Sequence, residues 1–574
     1  MNNIRAYIGA WGRYVLIVAL LIAKLYVFDV LLRHGVIQWE TKDYFAKSAI
    51  AVLLALTVLF TRKRYPVFIL LGLADLWMIA NIIYFRAYHL FITWHLFSLA
   101  GNMDGFWSSV LPYCTWSLLI FPALTIPAAI GCLWDIRPFR WPETIGIILL
   151  GLAFSAQGAY HRWKDVRVYL PPEEIFSWEW INPIKIPQPQ SAHISENERM
   201  AGKYVRYHSI LAYPVYMVYD ACVTLSGREK KPTLTAEDEQ LLQHYLQPVV
   251  PPAEPEGNLL ILLIESFESW PLDAKLPDGS PVCPALNDYI ALHPVLYVRD
   301  VTSQIRYGMS GDGQLIVNTG LLHTFEHVTC VEYGYNTYPN LAHFYPHSAI
   351  VNPCRNVWNQ TVITPAYGYK QLIESATENR FEWNDSVVVN KIIATCQTLP
   401  SPACVMGITI SGHLPFDSSP DSIDLPDDIP AIIQQYIRTV HFTDRQVGRL
   451  LAWADTAAVM QNSTIVITGD HCIFRSDISD EVREYGLRTN LPFGTDCAGC
   501  PLIICSPCLT DSRIIEHGAQ ADIYPTILDF IGQKRYFWKG VGHDLLQDST
   551  GTIAEYDSLF LLSDKLIRMD YFAD

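Results

Sequence analysis

The chain has no internal repeat, no low-complexity stretch and no excess of basic residues. The first two absences set aside repeat arrays and biased tails. The third sets aside nucleic acid as a partner: 41 Lys plus Arg stand against 57 Asp plus Glu, a net charge of −16, and phosphates need a basic face. At 574 residues there is room for two or three domains. Half the residues are hydrophobic, but unevenly spread. Up to Tyr160 there are 12 basic and 7 acidic residues, a net of +5; of the totals, 29 and 50 remain beyond it, a net of −21. An apolar, basic front and an acidic, polar remainder read as a membrane anchor carrying a water-facing domain.

Five apolar segments predict a transmembrane domain over residues 1–160: 15–32, 45–60, 65–85, 108–134 and 144–160. The second and fifth fall slightly short of the ~20 residues a span needs, so their ends extend into the flanks. A cleaved secretory signal is set aside because four segments follow the first and no small-residue cleavage site stands after it. Arg5, Arg13, Arg62, Lys63, Arg64, Arg137 and Arg140 fall on one side; Arg33, Lys42, Lys47 and Arg86 fall on the other. The positive-inside rule then predicts a multi-pass protein of the cytoplasmic membrane, with everything after Tyr160 extracytoplasmic. Lys24, Asp29, Asp75 and Asn81 lie within the spans. They mark a pathway or a lipid-headgroup site, or else Lys24 and Asp29 pair across a helix turn or snorkel.

Thirteen cysteines are many for a protein facing an oxidising space. Cys114 and Cys132 lie in a span, which leaves an odd eleven outside. Cys497, Cys500, Cys505 and Cys508 form two CxxC units, but the apolar run between them reads as a strand that holds them apart. A disulfide or plain core cysteines are favoured there over a metal site.

Residues 161–255 read as a connector, polar and dotted with proline, ending at 251–255. Its stretch 207–223 either lies along the membrane surface or packs on the following domain. From 256 to 574 short apolar runs (259–264, 403–410, 464–468, 502–505) alternate with helical patterns such as 432–452 and 521–531. This predicts an α/β domain with a mostly parallel sheet flanked by helices. In such sheets chemistry gathers just past the carboxyl ends of strands.

Glu265 stands directly after the first run, and Asp470 and His471 follow another through Gly469. Carboxylate and imidazole suit manganese, zinc or magnesium. Ser310 lies among Gly308, Gly311 and Gly313 ahead of a helical stretch, where amides favour a phosphate. Its hydroxyl is a weak nucleophile unless a metal lowers its pKa. His413 lies past the 403–410 run, placed to steady phosphoryl oxygens or protonate a leaving oxygen. Trp358 and Asn359 are candidates for lining the pocket.

Together and in this order, IESFESWPL, GMSGDGQ, SGHLPF, ITGDH, QADIYPTILDFIG and GVGHDLL resemble the lipoteichoic-acid synthase family of phosphoglycerol transferases, in the sulfatase-like branch of the alkaline-phosphatase superfamily. The resemblance covers nearly the whole chain. It implies that Glu265, Ser310, Asp470 and His471 hold one divalent metal ion, Mn2+ with Mg2+ or Zn2+ as alternatives, and that Ser310 replaces the usual threonine nucleophile. It implies that His413 binds the phosphoglycerol group. The implied reaction moves the headgroup of a phospholipid, phosphatidylglycerol, through a covalent Ser310 intermediate to a glycan or glycolipid acceptor. The family's His and Arg flanking the Trp–Asn element are absent: Val351 or Asn352 and Gln360 stand there, with Arg355 as a substitute. A sulfatase is set aside because neither Pro nor Arg follows Ser310 in the required C/S-x-P-x-R pattern. A phosphoethanolamine transferase of the same superfamily is the nearest alternative, and an inactive sensor or scaffold the most distant.

Overall fold

A computed structural model describes residues 2–32, 41–59, 65–88, 91–94, 113–131, 141–166, 205, 209–225, 232–305, 309–324, 328–353, 357–375, 384–414, 416, 419, 423–474, 480–492, 499–547 and 556–573. The chain divides into two compact units. One takes in residues up to 97 and from 110 to 230; the other runs from Lys231 to the end, with 98–109. The division falls inside the stretch read as a connector.

The first unit is helical: α1 (Asn2–Leu32), α2 (Thr41–Leu59), α3 (Tyr65–Tyr88), α4 (Ile120–Gly131), α5 (Trp141–Val166) and α6 (Tyr213–Leu225). Each predicted span overlaps one of the first five, the fourth only over Ile120–Gly131. Among the described residues, however, two helices have the length and apolarity to cross a membrane, at Tyr14–Leu32 and Ile69–Arg86. The apolar stretches Tyr44–Ala55 and Trp116–Ile126 are shorter. The fourth predicted span, 108–134, reaches at both ends into residues outside the described ones, so its full length is not seen.

The buried charges of this unit pair between helices rather than along one. Lys24 pairs with Asp75, and its Nζ also donates to Phe121 O and Thr125 Oγ1, both at 2.7 Å. Lys47 pairs with Asp29. Lys24 and Asp29 therefore do not pair with each other across a turn. A charge in an apolar bundle survives when a partner and hydrogen bonds replace water. In α6, Tyr213 and Met217 bury against Leu25, Phe28, Met78 and Ile82 of the same helical unit, while Val215, Val218 and Tyr219 are exposed.

The second unit is built on eight strands: β1 (Leu259–Ile264), β2 (Val295–Thr302), β3 (His347–Asn352), β4 (Gln371–Glu374), β5 (Ala403–Ile408), β6 (Thr464–Gly469), β7 (Cys500–Cys505) and β8 (Arg513–Ala519). They lie in the order β4-β3-β5-β1-β6-β7-β2-β8. Described pairs are parallel except those of β7, which runs antiparallel to both β6 and β2. β1 at the centre shows why a continuous apolar run is needed. Leu259, Ile261 and Leu263 enter the core on one face, and Leu260, Leu262 and Ile264 enter the core on the other. Helices α8 (Ser310–Thr319) and α11 (Ile523–Phe530) cover the first face; α7 (Pro284–Leu292), α9 (Asp385–Thr398) and α10 (Ala431–Thr456) cover the second. Such double burial suits parallel strands. It also leaves the carboxyl ends of β1, β5 and β6 side by side.

Candidate active site and metal centre

Three chain segments meet at those strand ends. β1 pairs with β6 in a register that sets Ile264 beside Gly469, so Glu265 and Asp470 leave the sheet together. The third segment is the start of α8, where Met309 at φ 41° precedes Ser310. Such a backbone in a non-glycine residue costs ~1–3 kcal/mol and needs its surroundings to hold it. Two glycines permit the approach. A Cβ on Gly313 would stand 2.6 Å from the Asp470 carbonyl oxygen, and one on Gly412 would stand 1.9 Å from that of Glu265.

The Ser310 hydroxyl donates to Glu265 Oε2 at 3.0 Å. His471 Nε2 lies 3.3 Å from Glu265 Oε1 and 3.8 Å from Asp470 Oδ2. Ligand atoms of Glu265, Asp470 and His471 all fall within 4.8 Å of one another, and all three residues are buried. Each is aimed by hydrogen bonds. Asp470 Oδ1 accepts from the amides of Ser266 and His471, both at 2.8 Å. Ser266 Oγ donates to Glu265 Oε1 at 2.9 Å. His471 Nδ1 faces the Cys472 carbonyl at 3.2 Å, which keeps a proton on Nδ1 and aims Nε2 at the centre.

The charge balance of this cluster is negative. Burial opposes ionisation of Glu265, yet the hydrogen bond and charge of His471, with the charge of His413, hold its carboxyl down at about 2. Burial and the charge of Glu265 push Asp470 up to about 7. Against its own burial, His471 is pushed up to about 10 by Asp470 and Glu265. Asp470 Oδ2 is buried and has no hydrogen-bond partner among the described residues. A buried carboxylate oxygen left in that state costs free energy unless a cation meets it. Two carboxylates, an imidazole and a serine hydroxyl are hard and borderline donors in a small, water-poor space, and they fit a divalent ion.

The other expected site residues are distributed unevenly. His413 follows Gly412, whose backbone packs on Glu265, and its Nδ1 faces the Leu414 carbonyl at 2.9 Å. Trp358 lies against the loop that carries Ser310: a Cβ on Gly311 would be 3.6 Å from the Trp358 Cβ. Trp358 and Asn359 both have positive φ, 51° and 57°, and Asn359 Nδ2 donates to the Cys330 carbonyl at 2.9 Å. The Asn359 amide thus holds the wall rather than facing substrate. Gln360 is buried and donates to Gln314 Oε1 at 2.7 Å, which spends its amide inside the fold. Arg355, Gly308 and Cys497 lie outside the described residues.

Sequence reasoning passed over two buried carboxylates that steady this site. Glu268 accepts from the amides of Ile473 and Phe474 at 2.9 and 2.6 Å and from Trp270 Nε1 at 2.7 Å. It thereby braces the segment that follows His471. Asp385 accepts from the amides of Ile410 and Ser411 at 2.8 and 3.0 Å and from Thr443 Oγ1 at 2.6 Å. It fixes the loop that carries His413. The signal for Glu268 was its place in the apolar IESFESW motif, where a second acidic residue has no reason to face water; Asp385 carried no comparable signal.

Comparison with known proteins bears on both units. The family model for the lipoteichoic acid synthase N-terminal domain matches residues 1–157, and the sulfatase model matches 326–533, a stretch that includes His413, Asp470 and His471. Lipoteichoic acid synthase 1 of Bacillus subtilis is 22% identical over 518 residues, covering 83% of this chain and 74% of that protein. Lipoteichoic acid synthase of Staphylococcus aureus is 20% identical over 538 residues, covering 89% and 79%. Among solved structures, the integral membrane lipooligosaccharide phosphoethanolamine transferase A of Neisseria meningitidis superposes with a TM-score of 0.53 at 10% identity, covering 91% of this chain and 96% of that one. A match to the synthase N-terminal domain and a match to the sulfatase domain thus stand in one polypeptide, and over most of its length the chain is similar to lipoteichoic acid synthases.

Proposed function

We propose that the protein is a metal-dependent phosphoglycerol transferase, which moves the headgroup of phosphatidylglycerol through a covalent Ser310 intermediate to a glycan or lipid acceptor outside the cytoplasmic membrane. The observation that carries this reading is the Ser310 hydroxyl bonded to Glu265 at 3.0 Å within the buried Glu265–Asp470–His471 cluster. Glu265, Ser310, Asp470 and His471 would hold the ion. When bound, a divalent cation, Mn2+ with Mg2+ or Zn2+ as alternatives, lowers the pKa of a serine hydroxyl and offsets charge that develops on phosphoryl oxygens.

Ser310 Oγ attacks the phosphorus of the lipid headgroup while its proton passes to the Glu265–Asp470 carboxylate pair, of which Asp470 is the more basic. The bond from phosphorus to the diacylglycerol oxygen breaks, and His413 supplies the proton that the leaving oxygen needs. An acceptor hydroxyl then gives its proton to His413 and displaces the phosphoglyceryl group from Ser310, whose oxygen recovers the proton held by the carboxylate pair. The backbone amides at the start of α8 face the phosphoryl oxygens. Trp358, beside Gly311, lines the headgroup side, and Arg355 is the candidate for its polar contact. The five-span anchor, with the catalytic unit extracytoplasmic, belongs to the same proposal; it is supported by the match of residues 1–157 and by the basic-residue asymmetry of the loops.

The test is diacylglycerol release from vesicles of labelled phosphatidylglycerol. The full chain releases it; Ser310→Ala releases at least ~1,000-fold less, as expected when a nucleophile is removed. Chelation abolishes release, and added Mn2+ restores it. Equal release by both proteins sinks the serine mechanism, and full activity after exhaustive chelation removes the metal. Ethanolamine phosphate rather than glycerol phosphate on the acceptor would overturn the headgroup assignment alone.

A further inference from the structure

Behind the metal-ligand candidates two sulfur atoms meet. Cys472 follows His471, and Cys500 opens β7; their Sγ atoms are 3.6 Å apart. The antiparallel register, Thr468 opposite Leu502, carries both residues to the same end of the β6–β7 pair. Cys500 is fully buried and Cys472 nearly so. The fold also makes room for this contact, since a Cβ on Gly469 would stand 2.8 Å from Cys500 Sγ. Disulfide formation requires two sulfurs that already lie close on facing segments, and these do.

We propose that Cys472 and Cys500 form a disulfide in the mature protein, tying the segment that carries His471 to β7. The pair then acts on the site from behind. The Cys472 carbonyl faces His471 Nδ1 at 3.2 Å, so holding Cys472 holds the orientation of the ring. Glu268 grips the next two residues through their amides, and the Cys472 sulfur meets β7 at Cys500. The two residues are 28 positions apart, so the bond closes a loop long enough to restrict the unfolded chain appreciably. Chemically, the two thiols exchange with one disulfide of the oxidised-glutathione class: an S–S bond forms between Cys472 and Cys500, and the oxidant takes up both electrons and both protons to become two thiols. That the protein meets such an oxidant in the cell rests on the extracytoplasmic reading above. The test supplies the oxidant directly, so the two ideas fail separately.

The full chain in detergent is incubated in a glutathione redox buffer, unfolded in iodoacetamide, cut by trypsin without reduction and read by mass spectrometry. The expected product is a Cys472 peptide linked to the peptide holding Cys500, with fragmentation assigning Cys500 as the partner. Reduction releases the link and lowers the melting midpoint by a few degrees. Cys497→Ser keeps both the link and the shift, and Cys500→Ser loses both. Alkylation of Cys472 and Cys500 without prior reduction overturns the proposal, as does a link from either one to another cysteine or a link that survives Cys500→Ser.

Discussion

Single buried carboxylates hold backbone amides in this domain, and two of them, Asp385 at the His413 loop and Asp444 at the start of α7, make different predictions. Asp385 satisfies two loop amides and one hydroxyl without touching the reacting groups. Asp385→Ala leaves both amides buried and unpaired, at a cost of about 2–4 kcal/mol, and raises KM for the lipid more than it lowers kcat. Asp385→Asn keeps the oxygen that both amides need, and the Thr443 hydroxyl can turn to accept from the new amide. Its cost in a denaturant titration should stay within ~1 kcal/mol. Equal losses for the two variants would show that charge, not hydrogen bonding, is what the loop requires.

Asp444 reports through pH instead. Its carboxylate accepts from the amides of Ala285 and Leu286 at the start of α7, yet burial outweighs those bonds and pushes it up to about 6. The folded value lies above the ~3.9 of an unfolded aspartate. The stability from this group is therefore fully present below about pH 4 and is lost as pH rises through 6. Asp444→Asn removes that dependence: the difference in melting midpoint between variant and parent should change between pH 4 and 6 and level off above. A difference that stays constant across that window would refute the shift.

At the scale of elements, the site depends on how closely α8 approaches the end of β6. Gly313→Ala places a methyl group 2.6 Å from the Asp470 carbonyl oxygen, a backbone atom that cannot swing aside. Either α8 or the Asp470–His471 segment must retreat. The expected result is a loss of Mn2+-dependent thermal stabilisation together with at least a ~10-fold loss of lipid turnover, since a shift of about 1 Å at a reacting centre costs this much or more. Retained metal stabilisation would mean that the approach is looser than these contacts indicate.

The same element scale explains what could be read from sequence. Glu265 was visible because it directly follows an apolar run, Asp470 and His471 because they follow another through Gly469, and Ser310 because glycines crowd it. β1, β5 and β6 are such runs. β8 is not: Arg513, Ile514, Glu516 and His517 are exposed at the sheet edge, and the pattern blurs there. β4 is four residues long and only partly buried, too short for periodicity to register. The direction of β7 was hidden for another reason. A continuous apolar strand reads the same whichever way it runs, and only its two neighbours reveal that it is antiparallel. In the helical unit, composition pointed to charges within apolar segments but could not name their partners, because Lys24 meets Asp75 and Lys47 meets Asp29 only after the helices pack.

For the whole molecule, the question is how the labour is divided between the two units. The second has complete apolar cores on both faces of its sheet, and Leu242 and Tyr245 of its leading segment pack into one of them. The helix that carries Leu242, Ala236–Gln243, begins in a full capping box formed by Thr235 and Asp238. A chain starting at Lys231 therefore keeps every strand among the described residues and all four candidate ligands, and should fold and be stabilised by Mn2+ without the helical unit. What it loses is the means of staying at a lipid surface. Against a short-chain, water-soluble phosphatidylglycerol the truncated and full chains should differ by less than about tenfold. Against vesicles the truncated chain should fall behind by ~100-fold or more, the range over which linking a catalyst to its target raises effective concentration. Parallel losses on both substrates would mean that the helical unit contributes to the chemistry itself and is more than an anchor.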